Sequence, residues 1–198
     1  EDMARYVKSE HNRILVTNQD IVKNLKQVVY HSECPLKETF NVASFLLSQT
    51  VRSKGTKVIL TGEGADELFG GYSEYVYDLF RNKQIAKTDI KESNIRKQLF
   101  GDETFFYEKN YASFTDVKNL FYSNSLREEF INFDSYHNFV IRKERVDNLS
   151  PFNKRSYIDM KLRLSDHLLS EHGDRMAYAN SVEARYPFLD KRIIEFSN

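Results

Sequence analysis

Five of the seven glycines in this 198-residue chain fall between Gly55 and Gly71, with three carboxylates set among them. The central run is Thr61-Gly62-Glu63-Gly64-Ala65-Asp66-Glu67-Leu68-Phe69-Gly70-Gly71-Tyr72. Just before it, Lys57-Val58-Ile59-Leu60-Thr61 reads as a short apolar strand of the kind a two-sided parallel sheet buries. A helix is expected to begin near Ala65. Such a turn stands at the carboxyl edge of a sheet, where open α/β folds bind ligands. Small residues let the backbone approach a nucleotide, and the N–H groups of a helix start attract an anion. Glu63, Asp66 and Glu67 offer the hard oxygen atoms that suit Mg²⁺, and one of them could move a proton. The alternative is a tight strand-to-helix turn whose acidic residues are favoured by the helix dipole. The residues alone leave both readings open. Neither a Walker loop nor a dinucleotide G-x-G-x-x-G is present.

The elements that must position this turn are read from periodicity. Residues 2–10 suggest a short helix and Arg13-Ile14-Leu15-Val16-Thr17 a strand. Asn18 or Asp20 could cap the next helix, in which Ile21, Val22, Leu25, Val28 and Val29 recur at helical spacing. Thr39 could cap a third helix, ended by Gly55. This alternation predicts an α/β fold with a parallel sheet, confined to about the first third of the chain. From Tyr72 to His172 the pattern is helical, with no strand predicted. The predicted organisation is therefore an α/β part over residues 1–72 and a mainly helical part over 73–198. Two strands are few for a parallel sheet, so further strands are expected to lie outside this sequence.

Lys plus Arg and Asp plus Glu balance at 29 each, so no basic excess points to nucleic acid or an anionic membrane. Apolar residues make up 40%, with 15 Phe, 12 Tyr and no Trp, as expected of a soluble globular protein. No apolar run approaches the ~20 residues that span a bilayer. One cysteine, Cys34, cannot form an internal disulfide, which fits a cytoplasmic setting, and it reads as structural. His11, His31, His137, His167 and His172 show no metal-ligand spacing and read as scattered.

The glycine-rich run resembles the S-G-E-G-[AS]-D-E-[LV]-F-G-G-Y motif of the asparagine synthetase family, with Thr61 keeping the hydroxyl of the usual Ser. A second stretch, Gly173 to Asp190, is similar to that family's D-R-x-x-M-x-x-x-x-E-x-R-x-P-F-L-D. Here Met176 follows Arg175 directly, and Tyr186 replaces a more usual Val. Tyr157 to Leu169 and Tyr30 to Pro35 also resemble family segments, and residues 73–150 resemble it least.

The resemblance implies an adenine nucleotide α-hydrolase-like fold, a doubly wound parallel sheet, with a large helical C-terminal portion. It implies a ligase that adenylates the side-chain carboxylate of aspartate, or a similar carboxylate, with ATP and Mg²⁺. Ammonia from a glutaminase domain then displaces AMP. Carried over by position, Thr61, Gly62 and Gly64 meet the nucleotide, and Glu63 serves formation or resolution of the acyl-adenylate. Asp66 meets Mg²⁺ and pyrophosphate, and Arg175 faces phosphate. Each has a plainer counterpart: Thr61 as a strand end, Glu63 as a solvated turn residue, Asp66 as a helix cap, Arg175 as a surface cation or the partner of Asp174. Glu183 and Arg185 read as an ion pair before Pro187, and Asp190 as the cap of a helix from Lys191. The family's S-G-G-x-D-S pyrophosphate loop and its glutaminase have no counterpart here. The sequence therefore reads as a segment of a longer cytoplasmic ligase of asparagine biosynthesis, with room for a homodimeric parent, and inactive by itself. The competing readings are an amidotransferase acting on another carboxylate and a non-catalytic nucleotide-binding or interaction module.

Overall fold

The computed structural model describes residues 1–81, 89–108, 110–113, 120–130, 133 and 140–197. His137 lies outside them. Helix α1 (Asp2–Tyr6) is followed by residues 9–17, which form neither helix nor strand. The predicted strand at 13–17 is thus absent. Its β-branched Ile14, Val16 and Thr17 give it β propensity, but a strand needs a partner, and Leu15 is exposed. Thr17 instead starts helix α2 (Asn18–Ser32). Its Oγ1 accepts from the Asp20 N–H at 3.3 Å, and the Asp20 carboxylate accepts from the Thr17 N–H at 2.9 Å. This reciprocal capping box satisfies two donors that a helix start leaves orphaned. The expected cap at Asn18 or Asp20 therefore shifts to Thr17, with Asp20 supplying the returning half.

Helix α3 (Asn41–Ser53) has Phe40 as its N-cap, with no side-chain hydrogen bond, so Thr39 does not cap it. The strand β1 (Val58–Leu60) follows. Its partner is β2 (Glu183–Arg185), which lies beyond the whole helical portion of the sequence. The two run parallel, with Val58 opposite Glu183, Ile59 opposite Ala184 and Leu60 opposite Arg185. β1 is not buried on both faces as its composition suggests, since Leu60 is 71% exposed.

Two compact units divide the chain. The first joins Glu1–Glu63 to Ser165–Ile193. Its core places Val28, Val42 and Phe45 around Met176, and a second group sets Ala177, Val182 and Ala184 against Ile59. Each buried aliphatic or aromatic side chain in such a core contributes about 1.5–3 kcal/mol. The return of β2 to β1 explains why this unit is discontinuous in sequence, whereas local patterning had grouped residues 1–72.

The second unit comprises Gly64–Leu164 and Ile194–Asn198. It holds α4 (Ala65–Phe69), α5 (Ser73–Arg81), α6 (Ile90–Phe100), α7 (Asn124–Glu129) and α8 (Pro151–Ile158). Pro151 opens α8 where its missing N–H costs nothing, and Ser150 caps it through the Asn153 N–H at 3.2 Å. Phe100, Val146 and Ile158 are completely buried among aromatic rings. Charges are buried beside them in pairs. Arg155 holds Asp78, and Arg96 donates to Glu92 at 2.8 Å. The Tyr107 hydroxyl donates to the fully buried Asp159 at 2.8 Å.

A π-helix runs from Asp159 to Asp174 and leads into α9 (Arg175–Tyr178). After β2, helix α10 (Lys191–Ser197) begins under Asp190, whose carboxylate accepts from the Arg192 N–H at 2.9 Å. Among the described residues no helix is long and apolar enough to cross a membrane.

Candidate functional site

The glycine-rich turn leaves β1 at the edge where both parallel strands end. The Thr61 N–H donates to the Arg185 carbonyl at 3.0 Å, extending the ladder by one bond. The Thr61 Oγ1 is buried and has no hydrogen-bond partner among the described residues. Gly62 is exposed, and a Cβ there would meet nothing within 4 Å. Open space thus faces the backbone at this point. Glu63 is half-buried. Gly64, the first residue of the second unit, has φ +92° as the N-cap of α4, a conformation costly to any residue with a side chain.

The acidic residues of the run have different surroundings. Asp66 is exposed in the first turn of α4. Glu67 is 1% exposed, and its carboxylate accepts from the Tyr72 hydroxyl at 2.6 Å. Burial, followed by this hydrogen bond, pushes the Tyr72 phenol up. Glu67 is therefore an internal acceptor, which removes it from the carboxylates able to meet a cation.

In the second motif, Arg175 donates from Nη1 to the carbonyl of Ser32, the fully buried last residue of α2. A helix C-terminus leaves carbonyls in need of donors, and a cation there is favoured by the dipole. Asp174 is not the partner of Arg175. It accepts instead from the Tyr186 hydroxyl at 2.8 Å. A Cβ on Gly173 would sit on that hydroxyl, so the glycine makes room for the phenol. Burial first, then Asp174, and then the charge of Glu63 push the Tyr186 phenol up. Tyr186 is thus coupled to both motifs, a role sequence reasoning missed; its one visible signal was an aromatic residue where Val is usual. The Glu183–Arg185 pair is present at 2.7 Å but exposed, and a surface pair of this kind contributes at most ~1 kcal/mol.

The structure therefore brings Thr61 to Arg185 and sets Glu63 within electrostatic reach of Tyr186, while Arg175 is engaged with α2. Asp66 stands in the second unit, on the far side of Gly64 in sequence. The histidines are not all scattered. The rings of His167 and His172 lie 4.4 Å apart, and both approach Glu38. Cys34 is a free, half-buried thiol.

Residues 1–198 match the family model described as asparagine synthase. "Amidase chry2" of Gibberella zeae is 25% identical over 93% of this chain and 32% of its own length. Asparagine synthetase [glutamine-hydrolyzing] 1 of Bacillus subtilis is 24% identical over 93% of this chain and 31% of its own. Asparagine synthetase [glutamine-hydrolyzing] 3 of Arabidopsis thaliana is 34% identical over 48% of this chain and 16% of its own. The chain thus spans about a third or less of the curated relatives it matches. With one motif following β1, the other containing its partner β2, and the family match running over residues 1–198, the chain belongs to the asparagine synthase family.

Proposed function

We propose that this chain forms part of the synthetase of an ATP-dependent amidating ligase, one that activates the side-chain carboxylate of aspartate and transfers it to ammonia to give asparagine. The observation that carries this reading is the parallel pairing of β1, which leads into the first family motif, with β2, which lies within the second, so that both motifs meet at one sheet edge. Ligands of open α/β sheets bind beyond the carboxyl ends of the strands. The two strands are read as part of a doubly wound sheet of the adenine nucleotide α-hydrolase type.

The residues fit a nucleotide. Thr61 supplies a buried hydroxyl with unused hydrogen-bonding capacity, and Gly62 leaves its backbone open to close approach. Gly64 allows the chain to turn from the strand into α4. Asp66 is an exposed oxygen donor of the kind Mg²⁺ takes, and the bound ion would neutralise charge on the departing pyrophosphate. Arg175 spends one of its five N–H donors on Ser32; the others suit a phosphate oxygen.

In the proposed reaction the substrate carboxylate attacks the α-phosphorus of ATP and expels pyrophosphate. Ammonia, supplied by a glutaminase, attacks the acyl carbon, and the bond to AMP breaks. The nitrogen sheds a proton, for which Glu63 is the proposed acceptor; its other assignment is to organise the carboxylate for adenylation. Glu63→Gln in the full-length ligase keeps the shape and removes charge and base. Glutamine hydrolysis should persist while amide formation falls by at least the ~10²-fold of a positioned acid–base group. Normal pyrophosphate release without amide assigns proton transfer, and lost release assigns adenylation. Unchanged amide formation overturns the role of Glu63.

A second reading, in which the carboxylate is not aspartate, draws on the differing names of the relatives. The amidase-named proteins of Gibberella zeae and Penicillium rubens align over 93% and 98% of this chain, and the Bacillus subtilis synthetase aligns over 93%. ATP–pyrophosphate exchange by the full-length ligase separates the two. Exchange that depends on aspartate supports the first reading, and exchange stimulated only by other carboxylates supports the second.

A further inference from the structure

Glu38, His167 and His172 each present one donor atom, and these atoms lie within 4.8 Å of one another. All three belong to the first unit. His172 is 4% exposed, and neither of its ring nitrogens has a hydrogen-bond partner among the described residues. A buried imidazole with both nitrogens idle forfeits hydrogen bonds worth about 1–3 kcal/mol, so the site calls for a ligand. Phe40 stacks on His172 with ring centroids 3.9 Å apart and fixes the plane of the ring.

His167 is oriented differently. Its Nδ1–H donates to the Glu171 carboxylate at 2.9 Å, and Asn41 donates to the other oxygen of Glu171 at 3.4 Å. This relay fixes the tautomer and leaves the lone pair on Nε2, the arrangement by which a carboxylate supports a metal-bound imidazole. The helix winding makes the pairing. Residues five apart on an α-helix point about 140° away from each other, whereas the π-helix that carries both closes its hydrogen bonds at that separation and brings the two rings edge to face. Glu38, half-exposed, completes the set from the loop between α2 and α3, with the exposed Lys37 ammonium 3.9 Å from its carboxylate.

We propose that Glu38, His167 and His172 form a binding site for a zinc-class divalent cation, separate from the nucleotide chemistry. Two imidazoles and one carboxylate match the nitrogen–oxygen donor set of tetrahedral Zn²⁺. Donors on such an ion stand about 3.4 Å apart, so a pair at the observed limit closes by roughly 1.4 Å, within reach of side-chain rotation. The cation clips the loop before α3 to the π-helix.

The test uses the full chain, stripped with a chelator, then titrated with ZnCl₂ by calorimetry and with CoCl₂ by absorption spectroscopy. One ion per chain and the intense visible bands of four-coordinate Co²⁺ are expected. Affinity should fall at least tenfold in His167→Gln and in Glu38→Gln, each checked for native fold by circular dichroism, and also in His172→Gln where that variant folds. Asn41 and Glu171 act only through His167, so Glu171→Gln should weaken binding by about 10- to 100-fold without abolishing it. His11→Ala should leave binding unchanged. Absence of saturable binding, a six-coordinate cobalt spectrum, or binding that survives both His167→Gln and Glu38→Gln overturns the site. Amide formation is not a readout here, so failure of this proposal is distinct from failure of the ligase reading.

Discussion

Arg155→Met tests the physics of the helical unit most directly. Arg155 is 1% exposed, donates through Nε and Nη2 to Asp78, and donates to the Phe106 carbonyl at 2.7 Å. Asp78 is itself 6% exposed. Methionine keeps most of the volume but strands a buried carboxylate. Removing one partner of a buried pair costs about 3–5 kcal/mol, because the remaining charge is left uncompensated. That lowers the folding equilibrium constant by roughly 10²- to 4 × 10³-fold. The measurement is urea unfolding followed by far-ultraviolet circular dichroism, since the chain has no Trp. Arg155→Met/Asp78→Leu should recover most of the loss, because an apolar pair replaces a buried ion pair at little cost. A residual deficit of about 1 kcal/mol is expected from loss of the Arg155 hydrogen bond to the Phe106 carbonyl. A single variant that loses less than about 1 kcal/mol, or a double variant no more stable than the single, would refute the claim that burial of an unpaired Asp78 dominates.

Gly64→Ala should cost about 1–3 kcal/mol from backbone strain at φ +92°, measured by the same unfolding transition; a neutral result means the turn relaxes out of that conformation. Tyr186→Phe should lose about 1 kcal/mol with the Asp174 hydrogen bond. Gly173→Ala should be tolerated better in that background than in the wild type, and strictly additive effects would show that the hydroxyl is not what excludes the methyl. Asp159 gives the pH test. Burial, outweighing the Tyr107 hydrogen bond and Arg163, holds its carboxyl above the usual value. A raised carboxyl pKa contributes stability that is present below the unfolded value and lost as pH rises through the folded one. Wild type should therefore lose stability across that window relative to Asp159→Asn, and a wild type that gains instead would show that the charged form is the favoured one.

The sequence by itself carried the local features. A strand over Val58–Leu60, a turn into a helix at Ala65 and the Asp190 cap follow from short-range rules of propensity and capping, and the structure contains each. The family followed from the type and spacing of residues in two runs, which needs no knowledge of distant contacts. Where local rules misled, a local competitor or a missing partner decided. Thr17 entered a capping box with Asp20, and the predicted strand ending there had nothing to pair with.

Tertiary structure decided what depends on residues far apart. No spacing announces that Glu183–Arg185 will lie beside Val58–Leu60, because that pairing is set by burial of Ala184 and Val182 against Ile59 and not by either segment alone. Nor could composition separate the three acidic residues of the glycine-rich run; the Tyr72 hydroxyl took Glu67 inside and left Asp66 in solvent. Tyr186 became the partner of Asp174 only because Gly173 left space for its ring. The histidines make the point most sharply. Spacing of five residues separates them on the α-helix that a sequence reading assumes, and only the wider winding of Asp159–Asp174, together with a loop more than a hundred residues upstream, brings His167, His172 and Glu38 to one place.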